Sequence, residues 1–141
     1  MKHRLLDKTM KMLSQANEVN FLTIDEIIAY HDSLIKDWGG LKGIRDKDLL
    51  ESTLKVIATN FRNESLYTQA CLYLQSLIKD HYFNDGNKRT GIYCAIQFLT
   101  DNSIDIESVN ELLLEDLAIA IANNEIHLDG IKESLWKAIQ L

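Results

Sequence analysis

The sequence predicts an all-α chain that folds as one domain. Its 141 residues include no proline and only six glycines, so long stretches carry no helix-breaking residue. Apolar residues recur every three or four positions along those stretches, which is the spacing of one face of an α-helix. With 46% apolar residues the chain can form a core of its own. No stretch approaches the roughly 18 uninterrupted apolar residues of a membrane span, so no membrane partner is expected.

The first two helical stretches are separated by a polar break at residues 14–20. The first is short and amphipathic, and its apolar positions are Leu5, Leu6, Met10 and Leu13. The second opens at a capping box from Thr23 to Glu26 and ends near Trp38. Its apolar face carries Ile27, Ile28, His31 and Ile35. Glycines follow this helix, and residues 38–46 are therefore predicted to form a short flap, for which a β-hairpin is one form.

The remaining helices follow from capping residues and periodicity. Asp46 is predicted to cap a helix with apolar positions at 49, 50, 54 and 57. Two further periodic runs, 66–78 and 92–99, flank a break at residues 81–90. The segment from Ser108 to Glu111 resembles another capping box, and the helix after it is apolar on nearly all sides, which predicts a central position. A last pattern at 131–139 predicts a terminal helix.

The break at residues 81–90 concentrates groups that suit phosphate chemistry. Gly86 lets the backbone approach an anion, and Asn87 is expected to cap the next helix, whose first N–H groups then point into the loop. Lys88 and Arg89 add positive charge for phosphate oxygens. These residues alone also fit a structural junction between two helices, with a capping Asn and solvated cations.

Two further residues of the same break suit metal binding and proton transfer. Asp85 is a hard oxygen ligand of the kind that Mg²⁺ prefers. Histidine is the most frequent general base in enzymes, and His81 can accept a proton from an attacking hydroxyl. The pair offers too few ligands for zinc. Together with the cations, they suggest nucleotide phosphates, a metal and a general base.

This run resembles the signature of the Fic/Doc family, usually written HxFx(D/E)GNxR. All of its fixed positions are occupied, by His81, Phe83, Asp85, Gly86, Asn87 and Arg89. Residues 39–46, read as GGLxGIRD, and shorter matches elsewhere between 21 and 140 look like the Doc (death-on-curing) branch. The resemblance implies an N-terminal extension at 1–20, with a short amphipathic helix, and a Fic/Doc domain at 21–141.

The resemblance also implies roles for individual residues in a compact helical bundle. The loop would bind ATP and Mg²⁺, with His81 as the catalytic base and Asp85 as the metal ligand. The nucleotide phosphates would be held by Gly86, Asn87, Lys88 and Arg89. The flap would dock the target protein as an added strand through Gly39, Gly40, Leu41, Lys42 and Gly43. An ordinary helix-ending turn is the alternative interpretation of that segment.

Two positions differ from AMP-transferring members of the family, whose motif continues as GNGRxxR. Lys88 stands in place of the second glycine, and Ile92 stands where the second arginine would fall. Both residues resemble the Doc branch, which implies a toxin kinase that transfers the γ-phosphate of ATP to elongation factor Tu and arrests growth. The alternatives are an AMP-transferase that modifies a protein hydroxyl and a catalytically silent helical binding module.

The resemblance suggests two forms of control. Many Fic proteins carry a self-inhibiting helix with the pattern (S/T)xxxE(G/N), which Ser14 and Glu18 match, although Val19 departs from its last position. Doc toxins are instead silenced by a small antitoxin protein, whose C-terminal helix fills a groove on the toxin. Both forms are kept as hypotheses.

The net charge indicates which partners to expect, and the two cysteines indicate the cellular compartment. A net charge of −6 argues against nucleic acid as a direct partner, because phosphate contacts need a basic surface. No signal peptide is predicted, and Cys71 and Cys94 lie in apolar helical patterns without metal-ligand spacing. Buried free thiols and a cytoplasmic location are therefore expected. Four aromatic residues are expected in the core or as groove walls, namely Trp38, Tyr73, Tyr93 and Trp136.

Overall fold

The computed structural model describes residues 2–14 and 18–140, which form a helical bundle. Its helices are α1 Lys2–Leu13, α2 Ile24–Trp38, α3 Lys47–Asn60, α4 Leu66–Lys79, α5 Asn87–Asp101, α6 Glu111–Ala122 and α7 Leu128–Ala138. Two short strands, β1 Ser108–Val109 and β2 Ile139–Gln140, pair antiparallel with Ser108 opposite Gln140. The all-α prediction is confirmed. None of the described helices combines the length and apolar character that a membrane crossing requires.

The central helix of the bundle is α4. Ten of its fourteen residues are buried, and it packs against α5, α7, α1 and α6. The expectation that α6 is central was wrong. Only one stripe of α6 is buried, while Leu112 is 74% exposed and Ile119 is 41% exposed. Several of its apolar side chains therefore face solvent, although α6 contacts α7, α4 and α5.

Two of the four predicted capping arrangements are confirmed. The Thr23 hydroxyl accepts from the Glu26 N–H at 3.1 Å, and Glu26 Oε1 accepts from the Thr23 N–H at 3.0 Å. Asp46 caps α3 by accepting from the Leu49 N–H. The capping box at Ser108 was wrong: Ser108 belongs to β1, and Asn110 caps α6 instead.

The predicted first helix is present as α1. Met12 is the buried residue of α1 that joins the core. The four apolar positions named in the sequence analysis are each at least half exposed: Leu5, Leu6, Met10 and Leu13. Lys8, four residues before Met12 and on the same helix face, donates to the backbone carbonyl of Asp105 at 3.3 Å.

Both cysteines are buried free thiols, as predicted. Burial raises the pKa of Cys71 and of Cys94 to about 12, so both thiols stay protonated at neutral pH. Among the aromatic residues, Tyr73 is in the core. Trp38 is 67% exposed, so of the two places expected for it the core is excluded.

Candidate active site

The loop between α4 and α5 is anchored by two buried aromatic rings. Tyr82 and Phe83 are 0% and 2% exposed. The Tyr82 hydroxyl lies 2.7 Å from Thr53 Oγ1 and 2.9 Å from Asp80 Oδ2, so α3 also holds the loop. The residues around this pair, His81, Asn84 and Asp85, are exposed. The loop is therefore a rigid support with polar side chains directed to solvent.

His31 of α2 contacts the buried side of the loop. It is fully buried, and its ring stacks on Phe83 with the centroids 3.8 Å apart and the planes 7° apart. His31 Nε2 lies 2.8 Å from the backbone carbonyl oxygen of Asp85, and Nδ1 lies 3.2 Å from Asp32 Oδ1. The sequence correctly indicated a packed helix residue, but its contact with the loop was not predicted.

Asn87 is the first residue of α5, and the prediction that it caps this helix was wrong. The cap position belongs to Gly86, which has no side chain to offer. The Asn87 amide turns back instead: Nδ2 donates to the Phe83 carbonyl at 3.0 Å, and Oδ1 accepts from the Phe83 N–H at 3.1 Å. This two-bond clamp closes the loop across four residues.

Because no side chain caps α5, the start of this helix is open to an anion. The N–H of Thr90 donates to the Gly86 carbonyl at 3.0 Å. The N–H groups of Asn87, Lys88 and Arg89 have no hydrogen-bond acceptor within the described part of the chain. Three unpaired donors at a helix N-terminus are the groups that bind phosphate in many proteins.

Gly86 is required where the loop enters α5. Its φ of +76° lies in the left-handed region, which favours glycine. An added Cβ would come within 3.0 Å of Ile35 Cδ1 and 3.6 Å of His31 Nε2. A side chain here would therefore press the loop away from α2.

The Asp85 carboxylate is held by two backbone donors. Oδ2 accepts from the Leu41 N–H at 3.0 Å, and Oδ1 accepts from the Gly86 N–H at 2.9 Å. Chiefly because of these two bonds, the pKa of Asp85 is below its ordinary value. The side chain is exposed and ionised at neutral pH, so its remaining lone pairs can bind a cation.

The predicted flap pairs with the loop through backbone hydrogen bonds. Ile44 forms an antiparallel bridge with Phe83, and the Asn84 N–H donates to the Gly43 carbonyl at 3.1 Å. Asn84 Nδ2 also donates to the Lys42 carbonyl at 3.1 Å. No hairpin forms within 38–46 of the described chain, so that form of the prediction was wrong. The flap pairs with the loop instead of with itself.

His81 projects its imidazole into solvent from a strained position. Its φ is +51°, an uncommon value for a residue with a side chain. Its backbone carbonyl accepts from Arg45 Nε at 3.0 Å, which ties it to the end of the flap. The imidazole makes no hydrogen bond to the described residues, so both ring nitrogens are available to a substrate.

The two cations of the loop lie on the first turn of α5. Lys88 and Arg89 are exposed, and neither forms an ion pair within the described residues. The Arg89 guanidinium carbon lies 4.9 Å from the centroid of the Trp38 ring. Sequence reasoning missed this contact, because Trp38 lies 51 positions before Arg89 in the chain.

Of the two residues hypothesised for self-inhibition, Glu18 lies two positions before Asn20, which contacts the C-terminal end of α5. Ser14 and Glu18 are exposed, and residues 15–17 between them lie outside the described residues. The Asn20 N–H donates to Asn102 Oδ1 at 2.8 Å, just beyond the last turn of α5. Arg89 is thirteen residues earlier along α5, about 20 Å away at the helical rise.

Comparison with known proteins agrees with the motif. The family model described as "Fic/DOC family" matches residues 21–99. "Protein kinase doc" of Escherichia phage P1 is 32% identical over 114 residues, which cover 79% of this chain and 89% of that protein. "Toxin Doc" of Mycolicibacterium smegmatis is 32% identical over 103 residues, which cover 70% of this chain and 79% of that protein.

Proposed function

Because this chain belongs to the Fic/DOC family, we propose that it is a Doc-type toxin that transfers the γ-phosphate of ATP to a hydroxyl of elongation factor Tu. The names of the two relatives, a protein kinase and a toxin, support this assignment. The observation that carries it is the loop at 81–89, which unites an exposed imidazole, an ionised carboxylate, two cations and an open helix N-terminus. Phosphoryl transfer depends chiefly on positioning and charge neutralisation, and these groups suit both tasks.

The start of α5 fits the phosphate groups of a nucleotide. The N–H groups of residues 87–89 are unpaired within the described chain and point along the helix axis toward the loop. Lys88 contributes a point charge, and Arg89 contributes a planar fork for two oxygens. Gly86 adopts the positive φ with which the loop enters α5, and its lack of a side chain lets the loop lie against α2. Asn87 acts through its N–H, since its side-chain amide is engaged by Phe83.

Asp85 fits a Mg²⁺ ion bound together with those phosphates. It is an exposed, ionised oxygen donor next to the open helix end, and one carboxylate plus phosphate oxygens is a common way to hold this ion. Mg²⁺ supplies neutralisation of the negative charge on the transferred group. Leu41 and Gly86 fix the orientation of the carboxylate before any ligand arrives.

His81 is the general base of the proposed reaction. Its imidazole accepts the proton of the target hydroxyl as that oxygen bonds to the γ-phosphorus and the bond to ADP breaks. Its backbone is fixed by Arg45, while its ring remains open to the target. The flap borders the same loop, which suits a role in docking the target segment.

AMP transfer is the second candidate function, because the matched family model covers the same loop. Lys88 and Ile92 favour the kinase. Ile92 is a half-buried apolar residue, so it offers no donor to the far phosphate of a nucleotide bound for AMP transfer. Lys88 places a side chain where AMP-transferring members have glycine.

The proposed toxin acts in the cytoplasm, where its target is found, and a small antitoxin protein restrains it. Expression of the parent chain without an antitoxin is expected to arrest bacterial growth, and His81→Ala is expected to abolish the arrest. Equal arrest by His81→Ala would show that His81 chemistry is not needed, and would favour the silent binding module.

A further inference from the structure

Arg89 is held in an unusual way for a surface arginine. Its guanidinium lies over the Trp38 ring at 4.9 Å, and the ion pairs of the described chain do not include it. Asp85 lies near enough to interact electrostatically with Arg89. Its carboxylate oxygens, however, accept hydrogen bonds from the Leu41 and Gly86 N–H groups and form no ion pair with Arg89. Arg89 therefore has a fixed partner that carries no negative charge.

Core packing does not account for the place of Trp38. Its side chain is 67% exposed, so it buries little apolar surface against the bundle. It is the last residue of α2, and the N–H of Gly39 closes that helix by donating to the Ile35 carbonyl at 2.8 Å. The backbone that carries the ring is thus fixed by an ordered helix end.

An aromatic ring and a carboxylate hold an arginine with different consequences. A carboxylate would fix the guanidinium but cancel the charge that a phosphate needs. An aromatic face attracts the cation through its quadrupole and leaves its N–H donors and its charge free. Stacking also restricts the rotamers of a long side chain, which lowers the entropy lost when a ligand binds.

We infer that Trp38 is a positioning residue for Arg89. It holds the guanidinium at the open end of α5 without a direct ion-pair partner among the described residues, so that Arg89 is preset to bind a polyphosphate. This inference rests on the proposed function, since it takes the ligand of the loop to be the triphosphate of a nucleotide. It adds a residue from outside the motif to the site.

The test compares affinities for ATP and for inorganic tripolyphosphate, each with Mg²⁺, by isothermal titration calorimetry. Loss of an exposed cation–π contact corresponds to about two- to fivefold in affinity, so Trp38→Ala should weaken both ligands by that factor. Trp38→Phe keeps an aromatic face and should recover most of the loss. Arg89→Ala should weaken both ligands by about tenfold or more.

A double-mutant cycle separates positioning from a merely structural role. If Trp38 acts through Arg89, Trp38→Ala should have no further effect in an Arg89→Ala background. The matched control is Trp136→Ala. Trp136 packs edge-on against Tyr67 at the start of α4, about 18 Å along that helix from the loop, and should leave both affinities unchanged. Melting temperatures verify that each variant is folded.

The outcomes distinguish failure of the inference from failure of the proposed function. Failure of the parent chain to bind ATP and tripolyphosphate would overturn the proposed function, and the inference with it. Binding by the parent with unchanged affinity in Trp38→Ala would overturn the inference alone. An equal loss in the parent and Arg89→Ala backgrounds would also contradict it. A loss for ATP but not for tripolyphosphate would mean that Trp38 contacts the nucleobase, which again contradicts positioning through Arg89.

Discussion

A side chain at Gly40 would meet the Asp85 carboxylate, whereas one at Gly39 would meet open space. The added Cβ at Gly40 would lie 2.8 Å from Asp85 Oδ2, while nothing lies within 4 Å of the one at Gly39. Both glycines have positive φ, +124° and +85°, so alanine carries backbone strain at either position. The pair therefore separates strain from displacement of the carboxylate.

We expect Gly40→Ala to weaken binding of Mg²⁺·ATP about tenfold, the scale of losing one hydrogen bond to a charged group. Gly39→Ala should lower the melting temperature similarly but keep the affinity. Calorimetric titration together with thermal melting measures both quantities. Equal losses of affinity in the two variants would mean that displacement of Asp85 is not the cause.

The hydrogen bond between the flap and Asp85 depends on pH, because the ionised carboxylate is its acceptor. The Leu41 and Gly86 N–H groups stabilise the carboxylate, which lowers its pKa in the folded chain. A lowered pKa means that this stabilisation is present above the unfolded value and is lost as the pH falls through the folded one. The contact with the flap should persist through neutral pH and break only in acid, below about pH 4.

The amide resonance of Leu41 reports this contact by NMR. Its chemical shift should stay constant from about pH 8 to about pH 5 and then move in a single acid step. Asp85→Asn should remove that step. A step near neutral pH would contradict the assigned ionisation of Asp85.

Among the single residues of the site, the sequence predicts the ones that lie within one short motif. His81 and Arg89 lie within nine positions, so the chain places them in one loop whatever the packing. His31 and Trp38 reach the loop from α2, which lies more than forty residues earlier in the chain. Their contacts depend on how α2 docks against α5, and no local pattern encodes that arrangement.

Among the elements, α2 and the loop are coupled through His31. The ring fills a buried space against Phe83, and Nε2 lies within hydrogen-bond distance of the Asp85 carbonyl. His31→Ala removes both contacts and should lower the free energy of unfolding by about 2–4 kcal/mol. His31→Phe keeps an aromatic ring there but leaves the carbonyl without its donor, at a cost of about 1–3 kcal/mol.

Urea unfolding measures both values, and ATP affinity reports the loop. We expect His31→Phe to weaken ATP binding although the ring is retained, because the Asp85 backbone loses its anchor. Parental stability and affinity in His31→Phe would show that the bond to Asp85 does not hold the loop.

The starts of α2 and α3 could be predicted, because their capping hydrogen bonds join residues that are close in the sequence. Thr23 and Asp46 each accept from an N–H three residues later, and this spacing can be read from the sequence. Ser108 has the same local pattern, but its backbone pairs with Gln140 far along the chain, and this long-range pairing prevails. The burial of α6 could not be predicted from its apolar sequence, because it packs against α7, α4 and α5 and still leaves Leu112 and Ile119 exposed.

For the whole molecule, the position of Glu18 bears on self-inhibition. The bonds between Asn20 and Asn102 place this part of the chain at the C-terminal end of α5, whereas Arg89 is at its N-terminal end. We therefore expect Glu18→Gly to leave ATP turnover and growth arrest unchanged, with the parent chain as the reference. A clear rise in turnover or toxicity would instead support self-inhibition.

The central claim is that the loop at 81–89 transfers the γ-phosphate of ATP to a protein hydroxyl. The most direct measurement incubates the protein with Mg²⁺ and elongation factor Tu, using ATP labelled either at the α- or at the γ-phosphate. The proposed function predicts label on elongation factor Tu from the γ position only, and none with His81→Ala. Label from the α position would show AMP transfer instead, and absence of label from both positions would contradict the proposed reaction on this target.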